Sequence, residues 1–130
     1  MGRNLKKTTL IVQIIAILVI CLAAAAAEIQ TKFIQRLIDN LLYDNRNHYL
    51  SCEQLPDVSK VMQVVEEHQD LIQEIEQIKP GLIGVDIDTF TCPDKADLIF
   101  WYGGHADRLV IEGIIDNKTF FGVPYRLHNR

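Results

Sequence analysis

Serine is scarce in this sequence: only Ser51 and Ser59 occur, and neither lies in the GxSxG turn that presents a catalytic serine. Cysteine is scarce too, because the chain has three and none of them forms the CxxC pair typical of zinc and thiol–disulfide sites. A glycine-rich phosphate loop with its lysine is also missing. The sequence therefore predicts no metal ion and no cofactor, and it favours a protein that is not an enzyme.

Charge is absent from a long N-terminal stretch, since Arg3, Lys6 and Lys7 are the only charged residues before Glu28. All 17 acidic residues lie from Glu28 onward, together with ten of the 13 basic residues, so residues 28–130 carry a net charge of −7. An acidic domain without a basic stripe repels phosphate backbones, which argues against nucleic-acid binding. The acidic side chains are expected to keep the domain soluble.

Residues 10–27 form an apolar run that, as a helix, spans roughly 27 Å, close to the bilayer core of about 30 Å. The basic start, the apolar run and the small residues Ala25 and Ala27 predict a signal peptide removed after Ala27. The unbroken alanines are instead typical of an uncleaved anchor, because alanine favours helix. In both interpretations residues 1–27 engage the membrane and leave the N-terminus in the cytoplasm. The domain then lies in the periplasm, a lumen or on the outer membrane face.

Residues 28–50 are predicted to form an amphipathic helix over 28–43 and then a polar loop. Apolar side chains recur at spacing four from Ile29 to Leu41, and polar residues take the other side. We interpret this helix as a cover for the domain core. A position on the membrane or against a partner helix is the alternative.

Residues 51–130 are predicted to form a small α+β domain. Its elements are expected as a helix over 56–80, strands over 82–90 and 96–102, a helix that begins at Gly103-Gly104, and a strand over 119–127. Pro124 places the last strand at an edge or shortens it. The result is an α-β-β-α-β order with a small antiparallel or mixed three-stranded sheet. In element order this is similar to envelope modules of the BON type and to ferredoxin-like halves, and that likeness carries no function.

Hydrophobic patterning also predicts which side chains fill the core. The last helix is expected to turn Ala106, Leu109, Val110, Gly113 and Ile114 inward. His68 lies on the apolar face of its helix, where a core position is expected. The strand-borne aromatic residues are likewise assigned to core packing: Trp101, Tyr102, Phe120, Phe121 and Tyr125.

Cys52 and Cys92 are the two cysteines outside the apolar segment, which contains Cys21. Export places them in an oxidising compartment, so we predict a disulfide between them. The bond would close a loop of about 40 residues and stabilise the fold by about 4 kcal/mol in the chain-entropy model. Two free thiols, or a metal site with His48 or His105, are the alternatives.

Gly103, Gly104 and His105 are the ligand candidates, since they stand at a predicted helix start. Exposed amides there can bind an anion, and His105 is suited to acid–base chemistry. A tight strand-to-helix turn is the simpler interpretation.

Asp86 and Asp88 share a strand face, with two more aspartates nearby in the sequence, Asp94 and Asp97. Four carboxylates are a ligand set that suits Ca²⁺, but the spacing lacks the glycine and the terminal glutamate of an EF-hand loop. We therefore expect a solvated strand face. Asn117 begins a glycosylation sequon on a predicted turn.

The expected function is that of a small non-enzymatic domain, exported or membrane-anchored, that binds a protein or a component of the cell envelope. One alternative is an envelope hydrolase or transferase that uses His105 with Asp107 or Asp86. The other is a single-span subunit of a membrane complex, assembled through the helix over 28–43.

Overall fold

The computed structural model describes residues 2–130, with side chains from residue 8 onward, and consists of two compact units. One unit ends at Gln35 and the other spans Arg36–Arg130. The first consists of helix α1 (Gly2–Thr31) and the first residues of α2 (Phe33–Leu41). Within α1, Thr8–Thr31 is long and apolar enough to cross a membrane, with a mean hydropathy of 2.9. A signal sequence near the N-terminus meets the same criteria of length and composition.

The helix predicted over 28–43 is interrupted at Lys32. Residues 28–31 continue α1, Lys32 has a left-handed φ of 51°, and α2 begins at Phe33. The Glu28 carboxylate accepts hydrogen bonds from the amides of Ile34 (2.9 Å) and Gln35 (3.2 Å). Because these amides of the first turn of α2 have no partner within the helix, Glu28 stabilises a new helix start that apolar periodicity cannot reveal.

The single helix predicted over 56–80 is two helices, α3 (Val58–Glu67) and α4 (Gln69–Gln77). The break lies at His68, whose backbone leaves the helical region with φ −121° and ψ 31°. The His68 ring stacks on Phe121 with ring centres 3.4 Å apart. His68 is half-buried, so its predicted core position is only partly correct.

Four strands form one mixed sheet in the order β1-β2-β4-β3. They are β1 (Gly84–Asp88), β2 (Asp97–Tyr102), β3 (Thr119–Phe120) and β4 (Val123–Asn129), and helix α5 (His105–Ile115) connects β2 to β3. β2 and β4 are parallel, whereas β1–β2 and β3–β4 are antiparallel. The α+β class is confirmed.

The sheet has four strands, where three were predicted, because the expected last strand folds into a hairpin at Phe121-Gly122. Both residues have positive φ, 49° and 86°, which suits a two-residue turn between twisted strands. Pro124 therefore lies in an interior strand and not at an edge. The parallel pairing with β2 starts only at Tyr125, so the missing proline amide costs no ladder bond there.

Alternate residues of the strands face α3, α4 and α5 and form the core with them. Tyr102, Phe120 and Tyr125 are buried as predicted, but Trp101 lies on the opposite sheet face and Phe121 is exposed. The core consists of Val61, Val64, Ile72, Ile75, Ile83, Ala96, Leu98, Phe100, Tyr102, Ile111, Phe120, Val123, Tyr125 and Leu127.

Helix α5 buries a different face from the predicted one. Leu109 and Val110 are exposed, whereas Asp107, Arg108 and Ile111 are buried. Asp107 pairs with the Lys79 ammonium at 2.6 Å, and Arg108 pairs with two carboxylates. Apolar periodicity failed here because ion pairs allow charged side chains to occupy the buried face.

The predicted disulfide is present in the structure. Cys52 and Cys92 are bonded, with Cα atoms 5.4 Å apart. The bond joins the turn before α3 to the turn between β1 and β2. The same two turns are held together by a hydrogen bond from the Ala96 amide to the Pro56 carbonyl (3.0 Å) and by an ion pair between Lys95 and Asp57 (2.8 Å).

Candidate anion-binding cleft

Residues 44–50, here called the strap, lie along the free edge of β4. β3 pairs only with the first residues of β4, and the strap pairs with β4 further on. The amide of Arg46 donates to the Leu127 carbonyl (2.9 Å), and the Leu127 amide donates back (2.8 Å). The Tyr102 hydroxyl donates to the Asp44 carbonyl, and burial beside Asp44 raises the pKa of Tyr102 to about 12. The predicted polar loop is therefore an ordered segment.

A buried network of charged and polar side chains holds the strap against the sheet through His48. His48 Nε2 donates to Asp97 Oδ2 at 2.7 Å, while the Leu50 amide donates to His48 Nδ1 at 3.0 Å. The His48 proton is thereby assigned to Nε2. The Arg126 guanidinium contacts Asp97 (2.5 and 2.8 Å) and Asp88 (2.5 Å). The network joins the strap to three strands.

The expected solvated strand face is wrong for Asp88, whose side chain is only 10% exposed. Burial alone would raise the pKa of Asp97, but hydrogen bonds from His48 and Arg126 outweigh it and lower that pKa. The pKa of Asp88 is lowered in the same way, by hydrogen bonds from Thr91 and Arg126 against the effect of burial. Both groups are therefore carboxylates at neutral pH.

Asp86 is the solvated member of the pair, 63% exposed, and it accepts a hydrogen bond from Trp101 Nε1 at 2.6 Å. Asp94 lies in the turn that leads into β2, with a φ of 61°. In the part of the chain that the structure describes, no three His, Cys, Asp or Glu side chains are grouped so as to hold a metal ion. The Arg126 guanidinium is the cation between Asp88 and Asp97.

A second charge network fixes two arginines between α5 and the strap. Arg108 contacts Asp44 Oδ1 (2.9 Å) and Glu112 Oε1 (3.2 Å), and Arg46 contacts the same Glu112 oxygen (3.2 Å). The guanidinium of Arg46 also lies over the Tyr125 ring, 5.5 Å from its centre. Burial would lower the pKa of Arg108, but the two carboxylates raise it. Both arginines are thus held in place by acidic side chains.

Above these arginines is a cleft of about 570 Å³, within the usual range of ligand sites. It lies between α2, the strap and the β3–β4 hairpin. Four basic side chains line it, and no acidic side chain does: they are Arg36, Arg46, Arg108 and Lys118. This cleft is a basic site in a domain whose net charge is negative.

Arg36 and Lys118 differ from the two arginines beneath them. Over the described residues neither has a carboxylate within 4.0 Å, although Arg36 lies over the Tyr49 ring, 5.2 Å from its centre. The Tyr49 hydroxyl donates in turn to Asp39 at 2.5 Å. Burial, followed by the hydrogen bond and charge of Asp39, raises the pKa of Tyr49, so Tyr49 remains a neutral donor.

The predicted ligand residues Gly103, Gly104 and His105 lie at the start of α5 and do not line the cleft. His105 is 66% exposed, and its Nδ1 contacts Asp44 Oδ1 at 2.8 Å. Its predicted partners bind other side chains, since Asp107 pairs with Lys79 and Asp86 accepts a hydrogen bond from Trp101. Asn117 is exposed in the turn between α5 and β3, as the sequon requires.

The basic cleft was missed in the sequence because its residues come from four separate segments. No local pattern marked them, because Arg108 lies outside the positions of its helix that were predicted to face inward. Comparison with family models, curated proteins and solved structures finds no match for this chain. Its function is therefore inferred from its own geometry and charge.

Proposed function

We propose that this protein is a membrane-anchored, extracytoplasmic binding domain that takes an anionic ligand into the basic cleft. The observation that carries the proposal is the lining: four basic side chains and no acidic one, in a unit that is acidic as a whole. The ligand class is a protein segment or envelope component that presents clustered carboxylate or phosphate groups. Such groups form the strongest hydrogen bonds with arginine.

The four basic residues of the cleft contribute to binding in two different ways. Glu112 and Asp44 hold Arg46 and Arg108 from beneath, so little side-chain freedom is lost when a ligand binds them. Arg36 and Lys118 supply positive charge at the cleft, and over the described residues neither has a carboxylate within 4.0 Å. An incoming anion therefore meets two preorganised guanidinium groups and two unpaired cations at the rim.

The location outside the cytoplasm is supported by the apolar helix and by the disulfide. The basic residues before the apolar stretch favour a cytoplasmic N-terminus. A structural disulfide favours an oxidising compartment. Helix α1 passes without a break through Ala27 to Thr31, which supports a retained anchor over the predicted cleavage after Ala27.

Binding is tested by calorimetry on the full chain in nanodiscs of neutral phosphatidylcholine, with pyrophosphate and a hexaglutamate peptide as probes. Arg36→Gln and Lys118→Gln should each weaken binding by roughly tenfold, the size of one charge-assisted hydrogen bond. The matched control is Lys60→Gln, the same charge change at an exposed position of α3 outside the cleft. Equal losses in all three variants, or no saturable binding of either probe, would contradict the proposal.

Topology and processing are tested with two further measurements. Alkaline phosphatase fused after Arg130 should be active in a bacterial host, and a fluorescent protein that folds only in the cytoplasm should stay dark at the same site. The intact mass of the membrane-bound protein should correspond to a chain that retains residues 1–27. A mature chain that begins at Glu28 would show that the segment is a signal peptide.

One contact favours a second function, the hydrolase or transferase alternative. The Asp44 carboxylate holds His105 Nδ1 and leaves Nε2 on a largely exposed ring, an arrangement suited to acid–base catalysis. The binding proposal predicts that His105→Gln keeps its affinity for both probes. Turnover of an ester or phosphoester that is lost in His105→Gln would favour the enzyme.

A further inference from the structure

The apolar face of helix α2 is exposed, whereas an amphipathic helix of a soluble domain usually buries that face. No residue of α2 is buried, and its large apolar side chains are 41–70% exposed: Phe33, Ile34, Leu37, Ile38 and Leu41. The expectation that this helix covers the domain core is therefore wrong. Leu42 and Tyr43 extend the same exposed apolar surface beyond the helix.

The polar face of α2 is the one that contacts the folded domain. Asp39 accepts a hydrogen bond from the Tyr49 hydroxyl, and Arg36 lies over the Tyr49 ring. The Asp39 carbonyl also accepts from the Asn45 amide at 2.7 Å. A helix on a water-soluble domain turns its apolar stripe inward and its polar side outward. Here the apolar stripe is exposed, and burying it requires an apolar partner.

We infer that α2 lies in the interface of the lipid bilayer, with its apolar face against the acyl chains. Only Lys32 separates it from the end of α1, so it starts one residue after the membrane-spanning segment. Its nine residues span roughly 13 Å, which is too short to cross the bilayer. A short amphipathic helix beside a span is held in the plane of the membrane.

The residues around the apolar stripe fit a membrane surface in particular. Lys32 is basic and directly precedes the start of the stripe, where it meets lipid headgroups. Phe33 and Tyr43 place aromatic rings at its two ends, and aromatic rings are enriched at membrane interfaces. A second copy of the chain would use the apolar stripe but would not account for its basic and aromatic borders.

This inference rests on the retained anchor of the proposed function and not on the ligand of the cleft. It is tested with the full chain, its mass verified, in phosphatidylcholine vesicles that carry bromine on the acyl chains near the headgroup. Trp101 is first replaced by phenylalanine, so that each variant holds one tryptophan. Reporters are introduced on the apolar stripe by Leu37→Trp and Leu41→Trp, on the polar side by Gln35→Trp, and in the span by Val19→Trp.

Bromolipid should reduce the fluorescence of the two reporters on the stripe by roughly twofold or more, and that of the Gln35→Trp reporter much less. Using two exposed positions keeps the test valid if one variant folds poorly. Quenching in the span, with no quenching at either stripe position, would overturn the inference and leave the anchor intact. No quenching at the Val19 position would instead overturn the anchor. Stripe reporters with blue-shifted but unquenched emission would indicate a protein partner, such as a second copy, and would also overturn the inference.

Discussion

Arg126 neutralises Asp88 and Asp97 together, so replacing it with methionine should cost far more stability than loss of a surface ion pair. The three side chains are 15%, 10% and 3% exposed, and the guanidinium makes three contacts of 2.5–2.8 Å with the two carboxylates. Arg126→Met keeps most of the side-chain length but leaves two carboxylates facing each other out of water. Removing one partner of such a buried pair costs about 3–5 kcal/mol.

The pH dependence of the stability of Arg126→Met distinguishes repulsion between the two carboxylates from a simple loss of packing. In the native protein the lowered pKa values of Asp88 and Asp97 contribute stability above their unfolded values near 4, and that stability is lost as the pH falls through the folded values. Without Arg126 the two carboxylates repel each other, so their folded pKa values should rise. Protonation of either carboxylate then removes the repulsion between them. The stability deficit of Arg126→Met relative to the native protein should therefore shrink as the pH falls from 7 to 4.

Urea unfolding of the full chain in mild detergent, followed by Trp101 fluorescence, measures both quantities. The matched control is Arg130→Met, an arginine on the same sheet face that is 57% exposed and 4.0 Å from Asp86. Its loss should cost no more than about 1 kcal/mol. A deficit for Arg126→Met as small as that of the control, or one that is equal at pH 7 and pH 4, would refute this account of the network.

Two further measurements probe the same fold. Cys52→Ser should lower the free energy of unfolding by about 2–5 kcal/mol, and the double variant with Cys92→Ser should lose no more than either single variant, since each removes the same bond. Two reactive thiols at these positions in the denatured, unreduced protein would contradict the bond. Burial, and then the charge of Arg126, lowers the pKa of His128, so the unfolded chain binds more protons and stability should fall as the pH drops below about 6.5. His128→Gln should weaken that decline, and an unchanged slope between pH 7.5 and 5.5 would exclude His128 as its source.

The features that the sequence predicted correctly are those whose signal lies within one segment or in the residue composition. Helix α1 contains the apolar stretch Thr8–Thr31, and β2 is apolar on both faces apart from Asp97, so both elements were predicted from the sequence. The disulfide was predicted from the number of cysteines outside the apolar segment and from the expected oxidising compartment, without any knowledge of the distance between them. Each of these signals can be found without knowing which segments are neighbours in the fold.

The features that were missed depend on charges that meet across the fold. The buried face of α5 contains Asp107 and Arg108, because Lys79, Asp44 and Glu112 compensate them from other segments. The strap has no apolar periodicity, and it is ordered through pairing with an edge of β4 that exists only because β3 is short. The candidate cleft depends on both features, so no local pattern in the sequence could predict it.

The two proposals share helix α2, yet they depend on different faces of it. Arg36 and Asn40 line the cleft, whereas Leu37 and Leu41 belong to the apolar stripe. If the stripe is embedded in the bilayer interface, the polar face of α2 is held in a fixed orientation relative to the membrane. A cleft that binds pyrophosphate equally well when the stripe is detached from lipid would show that the two faces act independently.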